Sequence, residues 1–279
     1  MKSSIFSIYP TEKIIPFHPL SSIMDLHLTH NPPVQYKSRS QISKSLTERW
    51  FGENMYCPAC PSESLEQTPP NEKVVDFVCP ECEEKYQLKG MAHAFGAKIV
   101  DSAYEPKIRM IKDGTGPNFV FLRYDTANWM VRDLMMVPKH FLVPEVIEKR
   151  KPLGPNARRA GWIGSNILLG MMPADARLYV VREFGVVTAE NVRGAWKRFE
   201  FLRGMKLESR GWLNDVLAVV RRIGKDEFTL DEVYGYEKEL SRLHLNNYHV
   251  KEKIRQQLQL LRSINILIFQ GHGRYRLTQ

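Results

Sequence analysis

The sequence contains no apolar run that approaches the roughly 20 residues needed to span a bilayer. Its first 28 residues are interrupted by Pro10, Pro16 and Pro19 and carry no recognisable secretory signal. Internal repeats and long low-complexity tracts are also absent. We therefore expect no membrane span and no secretion signal, and a cytoplasmic location.

Cysteine is scarce as well, with four residues in 279. They form two C-x-x-C pairs, Cys57 with Cys60 and Cys79 with Cys82, and 18 residues (61–78) separate the pairs. Thiols stay reduced in the cytoplasm, so this spacing favours a four-cysteine zinc ribbon over disulfides. Four thiolates fill a tetrahedral Zn²⁺ shell, which predicts a structural ion. A redox dithiol or free core thiols are the alternatives, and none of the eight histidines stands at ligand spacing with the cysteines.

Length and charge set the broad class of the protein. At 279 residues and 43% hydrophobic, the chain is long enough for a sizeable core and two domains. Lys and Arg number 40 against 31 Asp and Glu, a formal charge of +9. Such a surplus attracts polyanions such as nucleic acid, although many basic proteins bind none.

The N-terminal two thirds of the chain has the pattern of a mixed α/β domain. Residues 1–23 have no sustained period, and we expect an extension there that need not be ordered. Helices are predicted over 40–51, before 118 and over 189–202, and strands over 74–78, 85–89, 118–122, 134–137 and 177–181. In the second strand, period-two alternation puts Gln87 and Lys89 on one side.

From residue 209 the pattern becomes that of a winged helix. Thr229 and Glu232 form a capping box that starts a helix near 230. A third helix is predicted over 247–264, followed by a strand at 266–269, turn residues at 271–273 and a return strand at 274–277. Three helices and then a hairpin is the order of elements in a winged helix.

Asp76, Gln87 and Lys89 flank the second cysteine pair in a pattern that suits metal-dependent phosphodiester hydrolysis. Oxygen ligands fix Mg²⁺, the ion polarises the phosphate and a water, and the lysine orients or deprotonates that water. By itself the pattern is weak. Lys89 as a solvated edge-strand lysine and Asp76 as a turn residue remain the alternatives.

Longer blocks give the sequence a resemblance to the DpnI-type methyl-directed restriction endonucleases, which cut GATC when its adenine is N6-methylated. The blocks are 46–48 (LTE), 56–58 (YCP), 75–89, 150–153 (RKPL), 157–164 (ARRAGWIG), 209–212 (SRGW), 227–230 (EFTL) and 251–259 (KEKIRQQLQ). The resemblance implies an α/β PD-(D/E)XK nuclease domain over 24–205, with the zinc ribbon inserted at about 55–84. An α+β winged-helix domain over 206–279 would follow. It further implies a type II enzyme that hydrolyses double-stranded DNA at G(N6-methyl-A)TC with Mg²⁺.

Residue by residue, the resemblance puts Asp76 on the metal-binding aspartate and Lys89 on the catalytic lysine. Gln87 stands where the pattern has glutamate. An amide oxygen still coordinates Mg²⁺ but brings no charge, which would shift metal affinity or preference. The implied Mg²⁺ ligands are Asp76, Gln87 and the backbone carbonyl of Leu88. Glu48 is an accessory carboxylate or a solvated helix residue.

The resemblance also implies the DNA contacts. Trp162 falls on the aromatic probe of the adenine methyl group, and Arg158 and Arg159 would hold phosphates beside it. Without the resemblance, a core tryptophan beside two surface arginines is the simpler reading. In the winged helix, the predicted contacts to bases or phosphates are Tyr248, Arg255, Gln256, Gln259 and the wing residue Arg274. The alternative is that the polar face of the third helix is only solvated.

A second function remains open from sequence. A zinc ribbon and a winged helix also suit a non-catalytic DNA-binding regulator, in which Asp76 and Lys89 would be incidental.

Overall fold

The computed structural model describes residues 24–28, 38–69 and 74–278. The extension predicted over 1–23 lies outside these residues. No helix within the described ranges has the length and apolar character required to cross a membrane.

A seven-stranded sheet in the order β1-β2-β3-β5-β6-β9-β10 forms the centre of the first domain. Only β3 and β5 pair in parallel, and the other neighbours are antiparallel. The strands are β1 Glu66–Gln67, β2 Phe77–Val78, β3 Lys85–Met91, β5 Asn118–Asp125, β6 Met130–Val137, β9 Leu178–Arg182 and β10 Gly185–Val186. The parallel pair requires a crossover, which runs through β4 (Ile99–Ala103) and α2 (Tyr104–Lys112).

Both faces of the sheet are covered, which explains why β5 reads as a continuous apolar run. Phe119 and Phe121 pack on one face, and Val120 and Leu122 pack on the other. The face of Val120 carries α1 (Arg39–Asn54) and α3 (Ala189–Arg198), which contribute Trp50 and Trp196 to its core. The face of Phe119 carries α2 and a second sheet in the order β4-β8-β7. Its further strands are β7 Ile147–Lys149 and β8 Gly164–Ile167.

The C-terminal part follows the predicted winged-helix order, except that a short strand precedes the second predicted helix and this helix is divided in two. It comprises α4 Leu207–Ile223, β11 Glu227–Thr229, α5 Leu230–Tyr234, α6 Glu237–Leu243, α7 Val250–Ser263, β12 Leu267–Gly271 and β13 Arg274–Leu277. The capping box at Thr229 and Glu232 is confirmed. The wing turn holds three successive residues at positive φ, and glycine occupies two of these positions, Gly271 and Gly273.

The two domains share one apolar core, because residues of α4 pack in the same cluster as Phe141 of the first domain. Asn214 Nδ2 donates to the Phe141 carbonyl at 3.0 Å. Arg221 binds the Asp175 carboxylate through two nitrogens. The predicted boundary near residue 205 falls between a 3-10 helix (Glu200–Gly204) and α4. The winged helix is therefore fixed against the α/β domain.

Several local predictions differ from the structure. The helix predicted over 189–202 ends at Arg198, and the helix predicted over 247–264 begins at Val250. The strand predicted over 74–78 is reduced to Phe77–Val78, and Val74, with φ +76°, lies outside the extended region. Asp76 therefore precedes β2 and is not part of a strand. The sheet β4-β8-β7 was not predicted, because its strands are short and mix polar with apolar residues.

Candidate functional site

The four cysteines lie together at one end of the first domain. All their sulfurs are within 4.8 Å of one another, with Cys57 Sγ 3.6 Å from Cys82 Sγ and Cys60 Sγ 3.5 Å from Cys79 Sγ. Tetrahedral Zn–S bonds of about 2.3 Å separate sulfurs by roughly 3.8 Å. The cluster is therefore compatible with a structural zinc ion, and the four thiols form no disulfide.

The cysteine cluster is tied to the strand that carries the predicted catalytic residues. Cys57 Sγ is 3.1 Å from the hydroxyl of Tyr86, the residue before Gln87 in β3. From α3, Arg193 donates to the carbonyls of Cys57 and Ser62 at 3.1 and 3.0 Å. Because the second cysteine pair lies in the turn between β2 and β3, the cluster connects this turn to the first cysteine pair.

Asp76 lies against the edge of β3. Its N–H donates to the Tyr86 carbonyl at 2.9 Å, and its Oδ2 accepts from the Leu88 N–H at 2.8 Å. The N–H and C=O of one strand residue point to the same side of the strand. The Leu88 carbonyl therefore faces the edge on which the Asp76 carboxylate lies, which brings two candidate metal-ligand oxygens together.

Glu48 of α1 is electrostatically coupled to Asp76. Helix α1 packs closely on β3 at Gly90, where a Cβ atom would come within 2.8 Å of Thr47 Oγ1. Burial raises the pKa of the Glu48 carboxyl, the Asp76 charge raises this pKa further, and the Lys44 ammonium opposes both. Burial likewise raises the pKa of Asp76, against the effect of the Leu88 N–H. The two carboxylates line an open groove of about 1020 Å³, which Lys44 and Arg49 also line, and Lys44 Nζ lies 3.4 Å from Glu48 Oε1.

Gln87 and Lys89 contact a second, buried group of charges. Lys89 Nζ donates to Asp101 Oδ1 at 3.0 Å and to the Val100 carbonyl. Lys107 of α2 pairs with the other oxygen of Asp101 and donates to Gln87 Oε1 at 3.3 Å. Burial would raise the pKa of Asp101, but the Lys107 and Lys89 ammonium groups outweigh it, and the pKa lies below its ordinary value.

The three predicted catalytic residues therefore flank Leu88, with Gln87 and Lys89 along the strand and Asp76 at its edge. Gln87 and Lys89 share contacts through Lys107 and Asp101, whereas the Asp76 side chain bonds to the backbone between them. Asp101 and Lys107 were not predicted from the sequence. In the sequence, Asp101 is marked only by its place two residues after Ile99 in a short, partly apolar run. Lys107 is marked only by its place on an amphipathic helix.

Trp162 lies in the loop between β7 and β8 and is half-buried, outside both apolar cores. The ring packs on Gly164, where a Cβ atom would approach it to 2.8 Å. The guanidinium of Arg159 lies 4.7 Å from the ring centroid, and Arg158 and Arg159 are exposed. The alternative of a core tryptophan does not describe this position.

In α7, Ile254, Leu258 and Leu261 are buried, while Arg255, Gln256 and Gln259 are exposed on the other side. Tyr248 precedes the helix, which begins at Val250, and is 90% exposed. Arg274 is exposed at the start of β13. All five predicted contact residues of the winged helix are thus accessible.

Comparison with known protein families gives two matches. Residues 24–205 match the model of the DpnI family, described as the Dam-replacing family. Residues 208–277 match its C-terminal domain, described as the Dam-replacing HTH domain. These matches indicate DNA binding and support a methyl-directed restriction endonuclease. The predicted organisation, an α/β domain with a four-cysteine cluster followed by a winged helix, is confirmed. The chain belongs to the DpnI, or Dam-replacing, family.

Proposed function

We propose that this protein is a type II methyl-directed restriction endonuclease that hydrolyses double-stranded DNA at G(N6-methyl-A)TC with Mg²⁺. One observation carries the proposal. The Asp76 carboxylate is bonded to the Leu88 N–H, between two residues, Gln87 and Lys89, that share one face of β3. A nuclease of this kind needs a metal-binding carboxylate, a second oxygen ligand and an ammonium group around one phosphate.

In this proposal Asp76, the Leu88 carbonyl and Gln87 Oε1 hold Mg²⁺, and Glu48 adds negative charge across the groove. The donor set is all oxygen, which is the set that Mg²⁺ prefers. When bound, the ion would polarise the phosphate and lower the pKa of a water. The nucleophile is water, and the domains responsible are the catalytic domain of residues 24–205 and the winged helix of 206–279.

Lys89 orients the reacting groups. A lysine ammonium has three N–H donors, and two of them are held by Asp101 Oδ1 and the Val100 carbonyl. The third is left to bond the attacking water or a phosphate oxygen. Because the Asp101 carboxylate is buried, it restrains the direction of this donor before DNA arrives.

The cysteine cluster supports this centre from outside. We assign Cys57, Cys60, Cys79 and Cys82 as ligands of one structural Zn²⁺, with no open position for chemistry. The ion would keep Asp76 and Gln87 in register at the two arms of the hairpin. Four free thiols also agree with a cytoplasmic location.

Sequence and methyl recognition are assigned to two surfaces. Trp162 offers an apolar face to the adenine methyl group, and Arg158 and Arg159 bind phosphates beside it. The winged helix places α7 in the major groove, with Tyr248, Arg255, Gln256 and Gln259 toward the DNA and Arg274 on the wing.

One experiment separates this function from that of a non-catalytic regulator. Adenine-methylated and unmethylated plasmids are incubated with the protein and Mg²⁺ and then run on a gel. We expect cutting of the methylated plasmid at GATC and an intact unmethylated control. An intact methylated plasmid at high protein concentration would favour the regulator, and equal cutting of both would remove methyl dependence.

A further inference from the structure

Lys107 is a buried lysine that the proposed reaction does not use. Its side chain is 2% exposed, and its ammonium lies 4.2 Å from the centroid of the Phe119 ring. Its polar partners are Asp101 and Gln87 Oε1. Burying an ammonium group is costly unless it is paired, so these two contacts account for the position of the side chain.

The contact with Gln87 fixes the orientation of that amide. A lysine ammonium donates hydrogen bonds and accepts none, so it bonds the carbonyl oxygen of an amide and not the NH₂ group. Asp101 is already shared between Lys107 and Lys89. Together with the partly exposed Lys89, two ammonium groups stand against one carboxylate and leave a net positive charge beside residue 87.

A carboxylate at residue 87 would meet this charge directly. Standing 3.3 Å from Lys107 Nζ, as Gln87 Oε1 does, it would pair with the ammonium inside the protein. The negative charge would then be neutralised by Lys107 and would not be available to a divalent ion at the Asp76 edge. A neutral amide avoids this competition and keeps a second lone pair on its oxygen.

We propose that Gln87 and Lys107 form a matched pair, in which Lys107 is a positioning residue that orients the Gln87 oxygen. While Lys107 is present, a carboxylate at 87 adds little to divalent metal binding. This proposal rests on the proposed function, because it concerns the same metal site. The contribution of residue 87 to metal binding therefore depends on which residue occupies position 107.

The test is a double-mutant cycle on metal binding. Mn²⁺ is titrated calorimetrically into zinc-loaded protein with the wild-type sequence, Gln87→Glu, Lys107→Met or both substitutions. We expect Gln87→Glu to change Mn²⁺ affinity less than about threefold with Lys107 present. With Met at 107 the same change should raise affinity about tenfold or more, within the range of couplings between contacting residues. An equal effect of Gln87→Glu in both backgrounds would overturn the proposal.

Two controls keep the outcome interpretable. Lys107→Gln also removes the charge. It replaces Lys107→Met in the cycle if thermal unfolding shows that the methionine variant does not fold. It should give the same non-additivity. Asp76→Ala defines the metal site. If Mn²⁺ binding survives Asp76→Ala, the proposed function has the wrong metal site. If Asp76→Ala removes binding but the cycle is additive, the site stands and the matched pair fails.

Discussion

The candidate catalytic centre and the side of the winged helix that is proposed to face DNA differ in how their charges are held. Around β3, Asp101 and Lys107 are buried and paired, and Asp76 is bonded to the backbone. On α7, Arg255, Gln256 and Gln259 are exposed, and the ion pair of Arg255 with Glu252 is itself on the surface. In the proposed function, the groups that act on the reacting phosphate are therefore fixed in advance, whereas the groups that contact DNA remain adaptable. Single substitutions should therefore have large effects at the centre and small effects on the helix.

The largest effect is expected from Asp76→Ala. Removing the carboxylate takes away a proposed ligand of the catalytic ion, and we expect cleavage of methylated plasmid to fall about a thousandfold or more. Binding of a methylated GATC duplex, measured by fluorescence anisotropy, should change little. The matched control is Asp113→Ala, an exposed aspartate at the end of α2. Retained cleavage by Asp76→Ala would mean that the centre lies elsewhere.

Loss of one cysteine should affect stability first and cleavage as a consequence. Cys79→Ser removes a thiolate from the cluster, and we expect the midpoint of thermal unfolding to fall by roughly 10 °C. Calorimetry measures the loss of stability, and zinc analysis of the same sample measures the loss of the metal. Glu81→Gln changes a residue between Cys79 and Cys82 without removing a thiolate, and should keep the metal. An unchanged midpoint in Cys79→Ser would contradict a structural ion.

Gly164→Ala tests the placement of Trp162. The added methyl group would come within 2.8 Å of the indole ring, so the ring must move from its position on β8. We expect the ratio of cleavage rates on methylated and unmethylated DNA to fall about tenfold, in the range that one methyl contact contributes. Trp162→Ala should give the same loss. A lower overall rate with an unchanged ratio would show that Trp162 does not sense the methyl group.

Much of the architecture could be predicted because its signals are local. The spacing of the cysteines, the capping box at Thr229 and the apolar period of α7 each depend on residues near one another in sequence. The buried group at Lys107 could not be predicted in this way. Its contacts join β3, β4 and α2, and nothing in the sequence around Asp101 or Lys107 signals a shared partner. The docking of α4 through Arg221 and Asp175 depends on packing for the same reason.

The smallest effect is expected on α7. Arg255→Ala should weaken binding of methylated GATC DNA about fivefold, near the lower end for one base contact. The cleavage rate at saturating protein should stay unchanged, because Arg255 contributes no group to the proposed catalytic centre. Lys238→Ala, an exposed lysine on α6, provides the control. If cleavage at saturation fell as strongly as in Asp76→Ala, the contrast between the two regions would be lost.

Anomalous diffraction from crystals of the protein grown with Mn²⁺ and a methylated GATC duplex tests the central claim most directly. The account predicts a manganese peak within about 2.5 Å of an Asp76 carboxylate oxygen, with the Leu88 carbonyl in the same coordination shell and the phosphate of the scissile bond beside Lys89. A manganese peak at another position, with the Asp76 carboxylate still bonded only to the Leu88 N–H, would contradict the account.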